Sequence, residues 1–275
     1  MSAKPAAPPA VSAEAPDVAP PAWRTIGSRL VTLCALELMK VRHDRTELYT
    51  RAIQPVLWLV VFGETFTRLR AIPTGGIPYL DYLAPGIMAQ SALFIAIFYG
   101  IQIIWERDAG VLTKLLATPT PRVALVAGKA FAAGVRSTIQ VVAVVIVAAL
   151  LGVALTWNPL RLLGAVVLVV LGAAFFSMLS VTIAGLVLSR DRLMGIGQAI
   201  TMPLFFASNA LYPVDLMPRW LQWLSRVNPL SYMVDGLRGL LIGTPSSLAL
   251  DVGVLVLAVV AAVLVAASLV DRLAG

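Results

Sequence analysis

Of 275 residues, 59% are apolar and 13% charged, with a mean hydropathy of +0.89. Soluble globular domains average about 45–50% apolar and about 25% charged, so there is too little charge here to coat a water-facing enzyme, and too much apolar surface for general disorder. The net charge is +7, from 21 Lys+Arg against 14 Asp+Glu. The basic residues gather between long apolar runs, which points to a lipid surface rather than to nucleic acid.

Residues 1–22 are rich in Ala and Pro, cannot bury enough apolar surface to offset their ordering entropy, and are expected to form a disordered tail. With no apolar core of signal-peptide length behind the start, this segment does not read as a signal peptide. Residues 23–48 place Leu30, Cys34, Leu38 and Val41 on one helical face and Arg29, Thr32, Lys40, Asp44 and Glu47 on the other. That pattern fits a basic amphipathic helix lying on the membrane, with an ordinary surface helix packed on a soluble partner as the alternative.

Six apolar segments follow, near 52–66, 82–105, 137–156, 162–189, 193–212 and 252–270. They are judged against the roughly 20 residues needed to cross hydrocarbon as a helix. The first is short and carries Glu64. The runs do not alternate as barrel strands would, so helices are expected throughout. The predicted fold is therefore an all-α membrane domain over 23–275 with six transmembrane helices. Fifteen of the 21 basic residues fall on the side of the N-terminal segment, the 105–122 loop, the 190–192 loop and the C-terminal tail. The positive-inside rule then places both termini in the cytoplasm.

Two connecting segments carry more information than the spans. The loop from Glu106 to Arg122 opens with charges at Glu106, Arg107 and Asp108 and turns at Gly110. It then offers Val111, Leu112, Leu115 and Leu116 before Pro119 and Pro121 stop any helix. It reads either as a short amphipathic helix suited to a groove on a cytoplasmic partner or as a solvated turn. The segment 213–248 is too long for a hairpin turn and too polar for a span. Trp220 and Trp223, then Asn228, Pro229, Tyr232 and Asp235, suggest two short helices dipping into the outer leaflet, the alternative being an exposed loop.

Conventional catalytic signatures are missing from the sequence. Gly128-Lys129 is followed by Ala130 rather than Ser or Thr, and Arg122 stands where a P-loop would begin with Gly. One cysteine, Cys34, and one histidine, His43, give neither an intrachain disulfide nor a His-rich metal site. The spans hold few ionisable groups, which argues against an enzyme or a proton relay.

Four motifs in order resemble the permeases of type-2 ABC exporters, a group that includes daunorubicin-resistance and polysaccharide- or nodulation-factor-export permeases. They are Tyr82-Leu-Ala-Pro-Gly86; Glu106-Arg107 with Gly110 and Leu115-Leu-Ala-Thr-Pro119; Leu211-Tyr-Pro-Val-Asp-Leu-Met-Pro218; and Asn228-Pro-Leu-Ser-Tyr232 with Asp235-Gly-Leu-Arg-Gly-Leu240. The resemblance spans about 24–272. The family loop usually reads Leu-Glu after its glycine, whereas this chain reads Leu112-Thr113-Lys114.

The resemblance implies a half-transporter in the plasma (inner) membrane that exports an amphipathic small molecule or lipid-like substrate. It implies two permease copies, homodimeric or heterodimeric, with two separate ABC ATPase subunits. ATP and Mg would bind the ATPase, and this chain would bind no cofactor or metal. Glu106, Arg107, Gly110, Val111, Leu112, Leu115 and Leu116 would form the ATPase-coupling helix, and the 213–248 hairpin would cap the outer end of the pathway. The resemblance also places the dimer contact near the first and fifth spans; Gly195 and Ala199, four apart on the fifth, give that span a small-residue face for it. A stand-alone secondary transporter or channel is the competing reading.

Overall fold

The structure, a computed structural model, describes residues 53–69, 72–116 and 121–273. The predicted tail over 1–22 and the interfacial helix over 23–48 lie outside the described residues. Among the described residues the chain is all helical, without strands.

A helical stretch runs over 53–69, its middle widened into a π-helix at Trp58–Phe62 and its end forming α1, Gly63–Leu69. The longer helices follow as α2 (Tyr79–Asp108), α4 (Arg122–Leu150), α5 (Pro159–Val187), α6 (Arg190–Phe206) and α9 (Leu248–Leu269). Short helices join them: α3 (Val111–Leu116), α7 (Arg219–Val227) and α8 (Pro229–Leu241). Four of these, α2, α4, α5 and α9, are long and apolar enough to cross a membrane. Helices 53–69 and α6 are shorter, at about the lower limit for spanning.

α2 is the centre of the bundle. It is apolar on all sides, so it is buried by neighbours rather than along one stripe, and it packs against α4, α5, α6 and α8. The small face of α5, formed by Ala173, Ser177, Ser180 and Ala184, is buried within this chain. Small side chains let helices approach closely. Ser180 Oγ donates to the Ile97 carbonyl at 2.8 Å, and Ser137 Oγ to that of Ala92 at 3.3 Å, stitching α5 and α4 to α2. Outward-facing Ile146, Leu163, Leu257 and Leu264 are more than half exposed, an exterior suited to lipid. An aromatic series, Trp58–Phe62–Phe66–Tyr79–Tyr82, carries the 53–69 segment onto the start of α2.

α4 begins at Arg122, taking in the less apolar residues ahead of 137, and two helix C-terminal ends differ from the hydropathy reading. The run predicted over 137–156 is helical only to Leu150, because the chain turns at Gly152, where φ is +82°. Val153 and Leu155 are still buried, and Thr156 N donates to the Leu241 carbonyl at 2.8 Å. Apolar character therefore continues where the helix does not. The run predicted over 193–212 likewise leaves the helix at Phe206, three residues after Pro203. Residues 207–213 form an irregular turn beside the start of α2.

Candidate functional site

The predicted functional residues collect at opposite ends of α2. Thirty residues of helix separate those ends by roughly 45 Å.

At the C-terminal end of α2, charges hold a corner together. Glu106 pairs with Lys129 of α4. Arg107 Nη1 donates to the Leu188 carbonyl at 3.1 Å. Leu188 ends α5 with φ +56°, a left-handed conformation rare for a branched side chain. Arg190, at the start of α6, reaches Asp108 at 3.3 Å and lies over the Trp105 ring at 5.2 Å. Four long helices, α2, α4, α5 and α6, are thus tied at one corner. Gly110, at φ +70°, then turns the chain into α3, a conformation glycine adopts without steric strain.

On α3, Val111 is 44% exposed, and Thr113 and Lys114 are also exposed. Leu112 is fully buried and joins the core of its own chain. This corrects the expectation that Leu112 faces outward with Val111: adjacent residues on a helix are about 100° apart, and Leu112 points back to the bundle. Leu115 and Leu116 complete the α3 backbone, and their side chains lie outside the described residues.

At the N-terminal end of α2 the break in α6 leaves carbonyls needing partners, and buried backbone groups must find them. Arg238 of α8, 4% exposed, supplies most of these donors. Its Nη2 donates to the Asn209 and Ala210 carbonyls at 2.7 and 3.2 Å, and its Nε to the Tyr82 carbonyl at 3.2 Å. The guanidinium lies 3.6 Å over the Tyr82 ring and 3.8 Å from Asp235. Tyr79 and Tyr82 hydroxyls donate to the Leu211 and Asn209 carbonyls at 3.1 and 3.2 Å. Asn209 Nδ2 donates to Asp235 at 2.5 Å. Gly86 is required here, since a Cβ at that position would strike the Ala210 backbone.

Desolvation pushes the Asp235 carboxyl above its ordinary range, with Arg238 and Asn209 pulling the other way. Burial also draws the Arg238 guanidinium downward, opposed by Tyr82 and Asp235, and a guanidinium stays charged even so.

The remaining residues predicted for the 213–248 segment are placed by local rules. Asn228 caps α8, its Oδ1 accepting from Leu230 N at 3.0 Å, while its Nδ2 donates to the Leu204 carbonyl at 2.7 Å. Pro229 occupies the first helical turn, where its missing N–H removes no bond. Tyr232 donates to the Arg226 carbonyl at 2.7 Å, folding α8 onto α7. Trp220 and Trp223 are 69% and 67% exposed, as an interfacial role requires. Gly195 and Ala199 are exposed on α6, with open space where a Gly195 side chain would stand.

Sequence reading quoted Arg238 within a motif but assigned it no role. Its signal was an arginine in an otherwise apolar helical face. The motifs at 82–86 and 228–240 meet around that one side chain with residues 209 and 210, just ahead of the 211–218 motif.

The ABC-2 type transporter family model matches residues 28–242. The chain belongs to the ABC-2 type transporter family. It is 32% identical to the ycf38 transport permease of Cyanophora paradoxa, over 73% of this chain and 69% of the relative. It is 24% identical to a daunorubicin-resistance ABC transporter permease protein of Streptomyces coeruleorubidus, over 82% and 78% of the two chains. Nodulation protein J of Rhizobium leguminosarum bv. viciae is 30% identical, over 72% and 76%. The chain is thus a multi-pass membrane protein of the permease type. In this permease, the family match takes in both ends of α2.

Proposed function

We propose that this permease is half of an ATP-driven exporter, working with a separate ABC ATPase that binds ATP and Mg. The observation that carries the reading is α3: a short helix packed on α2 and placed just after the charged corner that ties α2 to α4 and α6, with Val111 and Lys114 left outside. A push on its exposed face reaches α2 directly, and α4 and α6 through the ion pairs of that corner. Two permease copies pair with two ATPases, both termini lie in the inner-membrane cytoplasmic face, and 53–69 and α6 complete six spans. The exposed Gly195 and Ala199 face supports α6 as part of the contact between permeases. The α7–α8 pair caps the outer end, its tryptophans at headgroup level.

The cargo is an amphipathic small molecule or a lipid-like one. The drug named in the Streptomyces relative supports that class. The test is co-purification with an ABC ATPase co-expressed with this chain, followed by ATP hydrolysis in lipid. An ATPase that binds and is stimulated by amphipathic compounds supports the reading, and one that never associates defeats it.

A further inference from the structure

A cleft of about 220 Å³ opens between the start of the 53–69 helical stretch, α2 and α4. Its wall includes Pro55, Phe94 and Phe98, together with Gln54, Gln90 and Gln140. Gln90 and Gln140 are each 2% exposed, and neither the oxygen nor the nitrogen of either amide has a hydrogen-bond partner. Buried polar groups are nearly always paired, and leaving one unpaired costs roughly 1–3 kcal/mol. Here two complete amides, two donors and an acceptor on each, converge on one cavity without satisfaction. By helix rise, both lie roughly 15 Å from the Tyr79 end of α2 and the Leu150 end of α4, so they share one depth.

We propose that this cleft is a binding site for a neutral amphipathic molecule. A hydroxyl or amide of the ligand sits between the Gln90 and Gln140 side chains, and its aromatic or aliphatic part lies against Phe94, Phe98 and Pro55. The two buried amides offer uncharged donors and acceptors, which suit a neutral hydrogen-bonding group. The unsatisfied amides give selectivity by their own chemistry: a ligand lacking a hydrogen-bonding group leaves them unpaired and is rejected. That the ligand is an exported substrate rests on the export reading above; binding itself needs neither ATPase nor transport.

The probe is 4-(hydroxymethyl)benzophenone, a neutral photoreactive aromatic ketone with one hydroxyl, applied to the full chain in lipid nanodiscs. Saturable adducts are expected on peptides carrying Phe94 or Gln140. Gln90→Met and Gln140→Met keep the side-chain length and remove the amide. Each is expected to lower site occupancy roughly threefold to tenfold, the loss of about one hydrogen bond. The double variant should label at background while its Tm holds or rises, because an unpartnered buried amide has been removed. Plain benzophenone keeps the ketone acceptor but lacks the hydroxyl, so it should label more weakly and lose less to each substitution than the hydroxymethyl probe does. A double variant that labels like the unmodified chain overturns the proposal. So does one that loses its fold, since the glutamines are then structural. Failure of labelling leaves the ATPase pull-down unaffected, and failure of the pull-down leaves the labelling unaffected, so the two readings fall separately.

Discussion

Arg238 was counted by charge asymmetry as an outer-side basic residue, yet it is buried and spends its donors on three backbone carbonyls. Removing it takes the guanidinium from the Tyr82, Asn209 and Ala210 carbonyls and from Asp235, leaving the Asn209 carbonyl only the Tyr82 hydroxyl and Asp235 only the Asn209 amide. Breaking a buried charged network of this kind typically costs about 3–5 kcal/mol. Arg238→Met is therefore expected to lower the detergent-solubilised Tm by many degrees, and Arg238→Lys by less, since it keeps a charge but not the fork. An unchanged Tm in Arg238→Met would show that the carbonyls find other donors. Gly86→Ala should also destabilise, by about 1–3 kcal/mol, through collision with the Ala210 backbone. Tyr82 and Arg238 stand in motifs visible in the sequence, but Asn209 does not, and the three are joined by side chain-to-backbone bonds that no periodicity encodes. Leu112 shows the same limit. Its spacing beside Val111 looked like an outward pair, and only the turn at Gly110 decides that Leu112 faces inward.

Helix positions were largely legible because long apolar runs have few ways to satisfy their backbone in lipid. The boundaries of α2, α5 and α9 fall within four residues of the apolar runs. The ends of α4 and α6 were not legible, since hydropathy reports burial and not backbone conformation. Val153, Leu155 and Leu211 are buried in irregular chain as fully as helical residues are. Orientation is tested at this scale. In a Cys34→Ser background, Thr113→Cys on α3 and Arg219→Cys on α7, both exposed, should react with an impermeant maleimide from opposite faces of the membrane. The motive is the basic asymmetry of 15 residues against six. Labelling of both from one face contradicts the orientation.

On the scale of the whole molecule, the bundle presents one small-residue face inward and another outward. Ala173 is fully buried, whereas Gly195 opens to free space. Ala173→Leu should therefore overpack the permease and lower its Tm, while Gly195→Leu should leave Tm unchanged and weaken crosslinking between copies severalfold. Equal crosslinking in both variants would remove α6 from the contact between permeases. The central claim is that α3 transmits work from an ATPase to α2, α4 and α6. Val111→Asp tests it most directly, because Val111 is exposed and the substitution should leave the fold intact, whereas Leu112→Asp would damage the core. Burial of a valine is worth roughly 1.5–3 kcal/mol, so partner affinity should fall roughly tenfold or more. The measurement is ATPase co-purification from detergent beside export in cells. The account predicts that Val111→Asp inserts and melts like the unmodified permease, loses the ATPase and stops exporting; a Val111→Asp permease that keeps both the ATPase and export would contradict it.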